Sequence, residues 1–150
     1  MSAMRHRGHE FSAGRVTYVY DGQHLWYMLP SGRVLCYPYA KFEGEHLTYA
    51  KAAWKPAADA TEWPRARLWS GLACENVTQA TAHCLLRRAM RECEKIGLDV
   101  IVTVHDEIVI EVSDPEDAKQ RLEEIMVTPP SWADGLPLAA ESKIMGRYGK

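Results

Sequence analysis

Residues 99–112, DVIVTVHDEIVIEV, constrain this chain more than any other stretch. Two runs of β-branched residues flank His105-Asp106-Glu107. Such side chains are stiff at χ1 and suit a pleated surface. Three polar residues between them are enough to reverse the chain. The segment therefore reads as a tight hairpin with its turn at or beside His105-Asp106. The runs are apolar at nearly every position, so both faces of the hairpin are expected to be covered.

Two helical patterns can supply a cover. Ser70 is a plausible N-cap and Gly97 a plausible C′ residue, which brackets a helix over 70–96. Leu72, Val77, Ala80, Cys84, Leu85, Ala89 and Ile96 fall near one stripe, with Leu86, Met90 and Cys93 beside it. Glu75, Asn76, Gln79 and His83 form a polar face in its first half. Arg87, Arg88, Arg91 and Lys95 form a basic one in its second. A shorter helix is expected over 114–126. Ser113 or Asp114 caps it, Pro115 lies in the first turn and Glu116 completes a capping box. Ala118, Leu122, Ile125 and Met126 face inward, and Pro129-Pro130 ends it.

Upstream, Arg15–Tyr20 is strand-like and is followed by Asp21-Gly22, a strong hairpin signal, and then by Gln23–Leu29. Pro30-Ser31-Gly32 turns into Arg33–Tyr39, and Glu43-Gly44-Glu45 into His46–Ala50. Residues 15–50 thus read as a β-meander. Residues 51–69 read as an irregular connection, 1–14 as a loose polar arm, and 136–145 as a final strand. The expected class is α+β: an antiparallel sheet with a long helix and a second shorter helix, preceded by a β-meander.

Composition excludes several alternatives. The 150 residues are 47% hydrophobic and 25% charged, so there is enough apolar surface for a core. No apolar run approaches the ~18 residues of a membrane span. The formal charge of -2 gives no global case for nucleic-acid binding, so such binding has to rest on a local patch. Cys36, Cys74, Cys84 and Cys93 include no C-x-x-C pair. With no apolar core to a secretory signal in MSAMRHRGHEFSAG, a reduced, cytoplasmic compartment is expected, with the cysteines as core residues.

The chemistry is expected at the hairpin. Carboxylates at the tip of an apolar hairpin are costly to desolvate without a positive partner, and no Lys or Arg occurs between Gly97 and Ser113. A divalent cation is a natural partner: Mg²⁺ takes one or two carboxylates plus substrate phosphates. On the residues alone, Asp106 as a plain turn residue and His105 as a hydrogen-bonded one remain open. Gln79 and Asn76 could read base edges, and Arg87 and Arg88 could hold phosphates. A solvated face and favourable cations near a helix C-terminus account for the same residues.

These segments resemble the A-family DNA polymerases. VTVHDEIVIEV resembles their motif C, which carries a metal-binding aspartate in a palm hairpin. LPSGRVLCYP resembles the segment after the fingers of phage-type members, and WSGLACENVTQATAHCLLRRAM the palm helix preceding motif C. PPSWADGLPLAAES and Arg147-Tyr148 resemble the C-terminus of that subgroup. The resemblance covers about residues 15–150, a partial palm domain. It implies that Asp106 is the catalytic metal aspartate and Glu107 the adjacent, less critical acid. It implies that His105 positions the primer terminus and that Gln79 touches the duplex minor groove. Glu75 and Asn76 match the E-N pair of the phage-type subgroup. Other members place a single Asn where this chain has Glu75, which leaves Asn76 as the candidate.

The resemblance also defines what this sequence lacks. Motif A, with the second metal aspartate, and motif B, with the nucleotide-binding fingers helix, have no counterpart in it. The chain is therefore expected to be inactive alone, as one part of a split polymerase or a truncated remnant. A two-metal Mg²⁺ site would form only if a partner supplied the second carboxylate. The complete enzyme would take primer-template DNA and a dNTP in the cytoplasm of a bacterium or a phage-infected host. Self-association through exposed sheet surface is expected. The alternatives are a non-catalytic remnant or duplex-binding module, and a phosphohydrolase using Asp106 and Glu107, with Glu111, beyond the turn, as an optional third acid.

Overall fold

A computed structural model describes residues 2–53, 59 and 61–149. The chain is α+β and divides into two compact units, Met1–Ala80 and Thr81–Lys150. No helix among the described residues is long and apolar enough to cross a membrane.

The first unit holds two antiparallel sheets. Strands β1 (Glu10–Ala13), β2 (Val16–Tyr20), β3 (Leu25–Met28) and β4 (Val34–Tyr37) follow one another in space as in sequence. Strands β5 (Lys41–Glu43), β6 (His46–Ala50) and β7 (Arg65–Arg67) form the second sheet. Alternation works as expected along β3, where Leu25 and Tyr27 are buried while Trp26 and Met28 face out. The core includes a row of rings: Tyr18 stacks on Tyr27, Tyr27 on Tyr37, and Tyr49 meets Tyr37 edge-on.

Three expectations for this unit need correcting. Residues 1–14 include a 3-10 helix (Ser2–Arg5) and β1. The low β-propensity of Ser12 and Ala13 hides β1. It forms because Gly14, at φ 59°, closes a two-residue loop that pairs Ala13 with Val16. The arm is tied down further by Arg7, whose Nε donates to the Asp21 carbonyl at 2.6 Å. Second, part of 51–69 is ordered as β7, because Leu68 N–H and Lys51 N–H extend its ladder with β6 beyond both ends. The remainder of that expectation, at 54–58 and 60, falls outside the described residues. Third, the Asp-Gly hairpin is real, but its loop has four residues, since Tyr20 pairs with Leu25.

Asp21 explains the longer loop. One carboxylate oxygen accepts from the N–H groups of Gln23 and His24, both at 2.7 Å, and the other from Trp26 Nε1 at 2.7 Å. These bonds, led by that of His24, lower its pKa to about 2. A depressed carboxylate pKa contributes stability that is complete above the unfolded value near 4. That contribution is lost as pH falls through 4 towards 2. The site is exposed and solvent screens it, so the expected contribution is about 1 kcal/mol. Asp21→Asn should remove it at neutral pH and flatten the acid limb of a thermal-unfolding profile between pH 5 and 2.

Helix α1 (Ser70–Lys95) matches the expected 70–96 closely and carries residues of both units. In the second unit its buried set is Cys84, Leu86, Ala89 and Cys93, while Ile96, expected on the stripe, is exposed. Strands β8 (Val100–Val104) and β9 (Glu107–Ile110) form the hairpin. Helix α2 (Pro115–Val127) begins as its sequence dictates, with the Asp114 side chain accepting from Asp117 N–H and Pro115 in the first turn. Cys93, Leu98, Ala118 and Leu122 form the core, with Val100, Ile108, Ile110, Val112, Ile125 and Met126 packed against it. Cys84 and Cys93 are buried, and burial pushes the Cys93 thiol pKa up. Cys36 is half-buried and Cys74 exposed, so the expected core role fails at Cys74.

No strand forms over 136–145. A strand needs a partner ladder, and Pro137 lacks a donor for one. The backbone N–H of Ser142 bonds instead to Glu123 Oε1 of α2, at 2.8 Å.

Candidate metal and nucleic-acid site

The hairpin turns on two residues, His105 and Asp106, with Val104 paired to Glu107. His105 has φ 55°, whereas Asp106 is not among the positive-φ residues. A positive φ at only the first loop position is the pattern of a type II′ turn, where glycine is preferred. A histidine there carries backbone strain of order 1 kcal/mol. His105→Gly should therefore raise the stability of the second unit by about 0.5 kcal/mol, after the added freedom of the unfolded glycine is deducted. Thermal unfolding measures it, and a loss of stability would refute the strain.

The chain's turn geometry leaves His105, Asp106 and Glu107 all exposed. The desolvation argument for a cation at the tip therefore does not hold in this chain, because water solvates both carboxylates. The Asp106 carboxylate makes no hydrogen bond or ion pair among the described residues. Glu107 Oε2 accepts from the Tyr148 hydroxyl at 2.8 Å. That bond ties the C-terminal segment to the tip and holds the Tyr148 phenol above its usual pKa. Sequence reasoning had no signal for it, since 41 residues separate the two.

The expectation that both hairpin faces are covered is also corrected. Val100, Ile108 and Ile110 meet the core. Ile101 and Val102 are exposed, at 57% and 43%. The register shifts between Val100 and Val102, which makes Ile101 the extra residue of a β-bulge and turns it outward. Among the described residues β8 and β9 form a two-stranded sheet, so each keeps an unpaired edge.

The expected duplex-binding residues divide into two groups. Gln79 and Arg87 are exposed, and Gln79 Nε2 donates to Glu75 Oε1 one turn away, at 3.2 Å. Asn76 is half-buried and donates to the Tyr37 hydroxyl at 3.1 Å, within the row of tyrosines. Burial outweighs that bond and pushes the Tyr37 pKa up. Arg88 is half-buried, and its Nη1 donates to the Ile125 and Thr128 carbonyls at 2.7 and 2.9 Å. It satisfies the free C-terminal carbonyls of α2. Arg121 returns the favour, donating to the Ile96 carbonyl at the end of α1 at 3.0 Å.

Among the described residues no three His, Cys, Asp or Glu side chains are grouped to hold a metal ion. Glu111 follows the far end of β9, where its N–H bonds to the Asp99 carbonyl, so it does not join Asp106. The three-acid form of the phosphohydrolase arrangement is therefore not assembled among the described residues.

No family model matches the chain, and no solved structure matches it. The relation that does emerge is to a DNA polymerase. The protein concerned is the DNA polymerase of Bacillus phage SP02, with which the chain shares 32% identity over 136 residues. The match takes in 90% of this chain, which spans about a fifth, 21%, of that polymerase. The chain is thus a relative of one portion of a phage DNA polymerase.

Proposed function

We propose that this chain is the C-terminal palm portion of an A-family DNA polymerase, carrying motif C at 99–112. The observation that carries the reading is the phage-polymerase similarity across nine-tenths of the chain, with the HDE segment at an exposed two-residue hairpin tip. The reaction is template-directed nucleotidyl transfer, in which a primer 3′-hydroxyl attacks a nucleotide α-phosphate. Asp106 supplies a carboxylate to the catalytic Mg²⁺ ions, with Glu107 beside it. Their hard oxygen donors suit Mg²⁺, which takes one or two carboxylates from a protein when substrate phosphates fill other positions. Bound there, Mg²⁺ would stabilise the attacking and leaving oxygens of the displacement.

The second carboxylate and the nucleotide-binding helix lie in residues outside this sequence, upstream in the same polypeptide or in a separate chain. The uncovered face and open edges of the hairpin support that reading, since isolated two-stranded sheets are marginal in water. His105 positions the primer terminus, while Gln79 meets the minor groove and Arg87 a phosphate. Asn76 and Arg88 serve the fold first.

The test is primer extension by the chain combined with an upstream segment of a phage-type polymerase bearing motifs A and B. Mg²⁺-dependent extension by the mixture, and none by either part, is expected. A mixture that binds duplex DNA without extending it would overturn the catalytic reading and leave a duplex-binding module.

A further inference from the structure

The second sheet of the first unit presents an outer face that the polymerase reading does not use. Along β7 and its flanks the sequence is WPRARLW, residues 63–69. Lys51 N–H to the Pro64 carbonyl and Leu68 N–H to the Leu47 carbonyl continue the β6–β7 ladder at its two ends. The two-residue period of the strand then puts Arg65 and Arg67 on one side and Leu68 on the other, with Trp63 and Trp69 flanking the two arginines at the same two-residue spacing. Burial follows that division: Leu68 is 5% exposed, whereas Trp63 and Trp69 are 59% and 55% exposed.

The register carries the same side across the sheet. Thr48 lies opposite both Arg67 and Lys41, and Glu43 lies opposite His46. Arg65 lies across the buried Thr48, donating to its hydroxyl and to the Tyr39 carbonyl, and pairs with Glu43 at 3.4 Å. Lys41 pairs with the same carboxylate at 3.0 Å. Three cations thus face one acid on a chain whose net charge is negative. Arg67 is exposed and makes no hydrogen bond or ion pair among the described residues. With Trp69 it lines an open cleft of about 470 Å³.

Trp69 is also held in place. A Cβ built on Gly71 would fall 1.8 Å from Trp69 Cζ3, so the indole lies against the first turn of α1 where only glycine leaves room.

We infer that this face is a binding track for single-stranded DNA, with Trp63 and Trp69 stacking bases and Arg67 contacting phosphate. Two exposed indoles flanking a strand, with cations between them, match an unpaired strand's alternation of π-faces and charges. A duplex keeps its base faces stacked inside and offers the indoles nothing. The inference rests on the polymerase reading only in the choice of DNA, where the track would take the unpaired template. It uses no residue of the hairpin.

The experiment titrates the full chain into a short fluorescein-labelled oligothymidylate at low salt and follows anisotropy. Wild type is expected to bind, and duplex DNA or polyglutamate to compete poorly. Trp63→Ala and Trp69→Ala should each weaken binding about tenfold, and Trp69→Phe should retain most of it. Arg67→Ala should lower the slope of log affinity against log salt by about 0.7. Gly71→Ala removes no contact atom but displaces the Trp69 indole, and should weaken binding as Trp69→Ala does. Absence of binding, equal competition by polyglutamate, or insensitivity to both tryptophans overturns the track. Loss of binding in Arg87→Ala with both tryptophans silent also overturns it, by assigning the strand to α1. Primer extension by the complemented polymerase would survive each of those results, so failure of the track is separable from failure of the polymerase reading.

Discussion

Asp106→Asn should abolish primer extension by the complemented polymerase while leaving the chain's stability untouched. The amide keeps the size of the side chain and removes its charge. If Asp106 is one of two carboxylates balancing Mg²⁺, its loss withdraws several kcal/mol of transition-state stabilisation. That is about a thousandfold in kcat or more. Glu107→Gln should cost far less, because the resemblance gives Glu107 the less critical place and one of its oxygens already serves Tyr148. The stability half of the prediction follows from exposure. Asp106 makes no hydrogen bond or ion pair among the described residues, so its replacement should shift unfolding by less than about 0.5 kcal/mol. The two measurements together separate a catalytic loss from a folding one. Full extension by Asp106→Asn would reduce the tip to a turn, and the chain to a polymerase relative whose chemistry lies elsewhere.

What could be read from the sequence was what local chemistry decides. The hairpin at 99–112 was legible because β-branched runs and a polar interruption leave few alternatives. Helix α2 was legible because Asp114, Pro115 and the double proline mark its ends. The strands β1 and β7 were not, since Ser12, Ala13, Ala66 and two arginines say little about pairing; the neighbouring strand recruits them. The missing strand at 136–145 is the converse case, an apolar stretch with no ladder to join. The candidate site divides the same way. The HDE tip stood out, but exposure at Ile101 and Val102 depends on a bulge that alternation does not encode. The engagements of Asn76 with Tyr37 and of Arg88 with α2 span 39 residues and 37 to 40 residues. A residue's type shows that it can bind a base or a phosphate. Only packing shows whether another part of the chain has already taken it.

Arg88 makes that distinction measurable. Its guanidinium bridges two carbonyls at the end of α2 from a half-buried position, and charged donors make the stronger hydrogen bonds. A cation there also complements the negative end of the helix dipole. Arg88→Ala should destabilise the second unit by about 2–3 kcal/mol in denaturant unfolding. Arg121→Ala, which removes one such bond at the end of α1 together with an ion pair to Asp117 at 3.3 Å, should cost about 1 kcal/mol. Arg87→Ala, one position away on the exposed side, should be neutral to within about 0.5 kcal/mol. The DNA measurement should run the other way. Arg87→Ala should lower the salt slope of duplex binding, and Arg88→Ala should leave it alone wherever the chain remains folded. If instead Arg88→Ala is neutral for stability and lowers that slope, the arginine belongs to DNA. The end of α2 would then have to be satisfied by water.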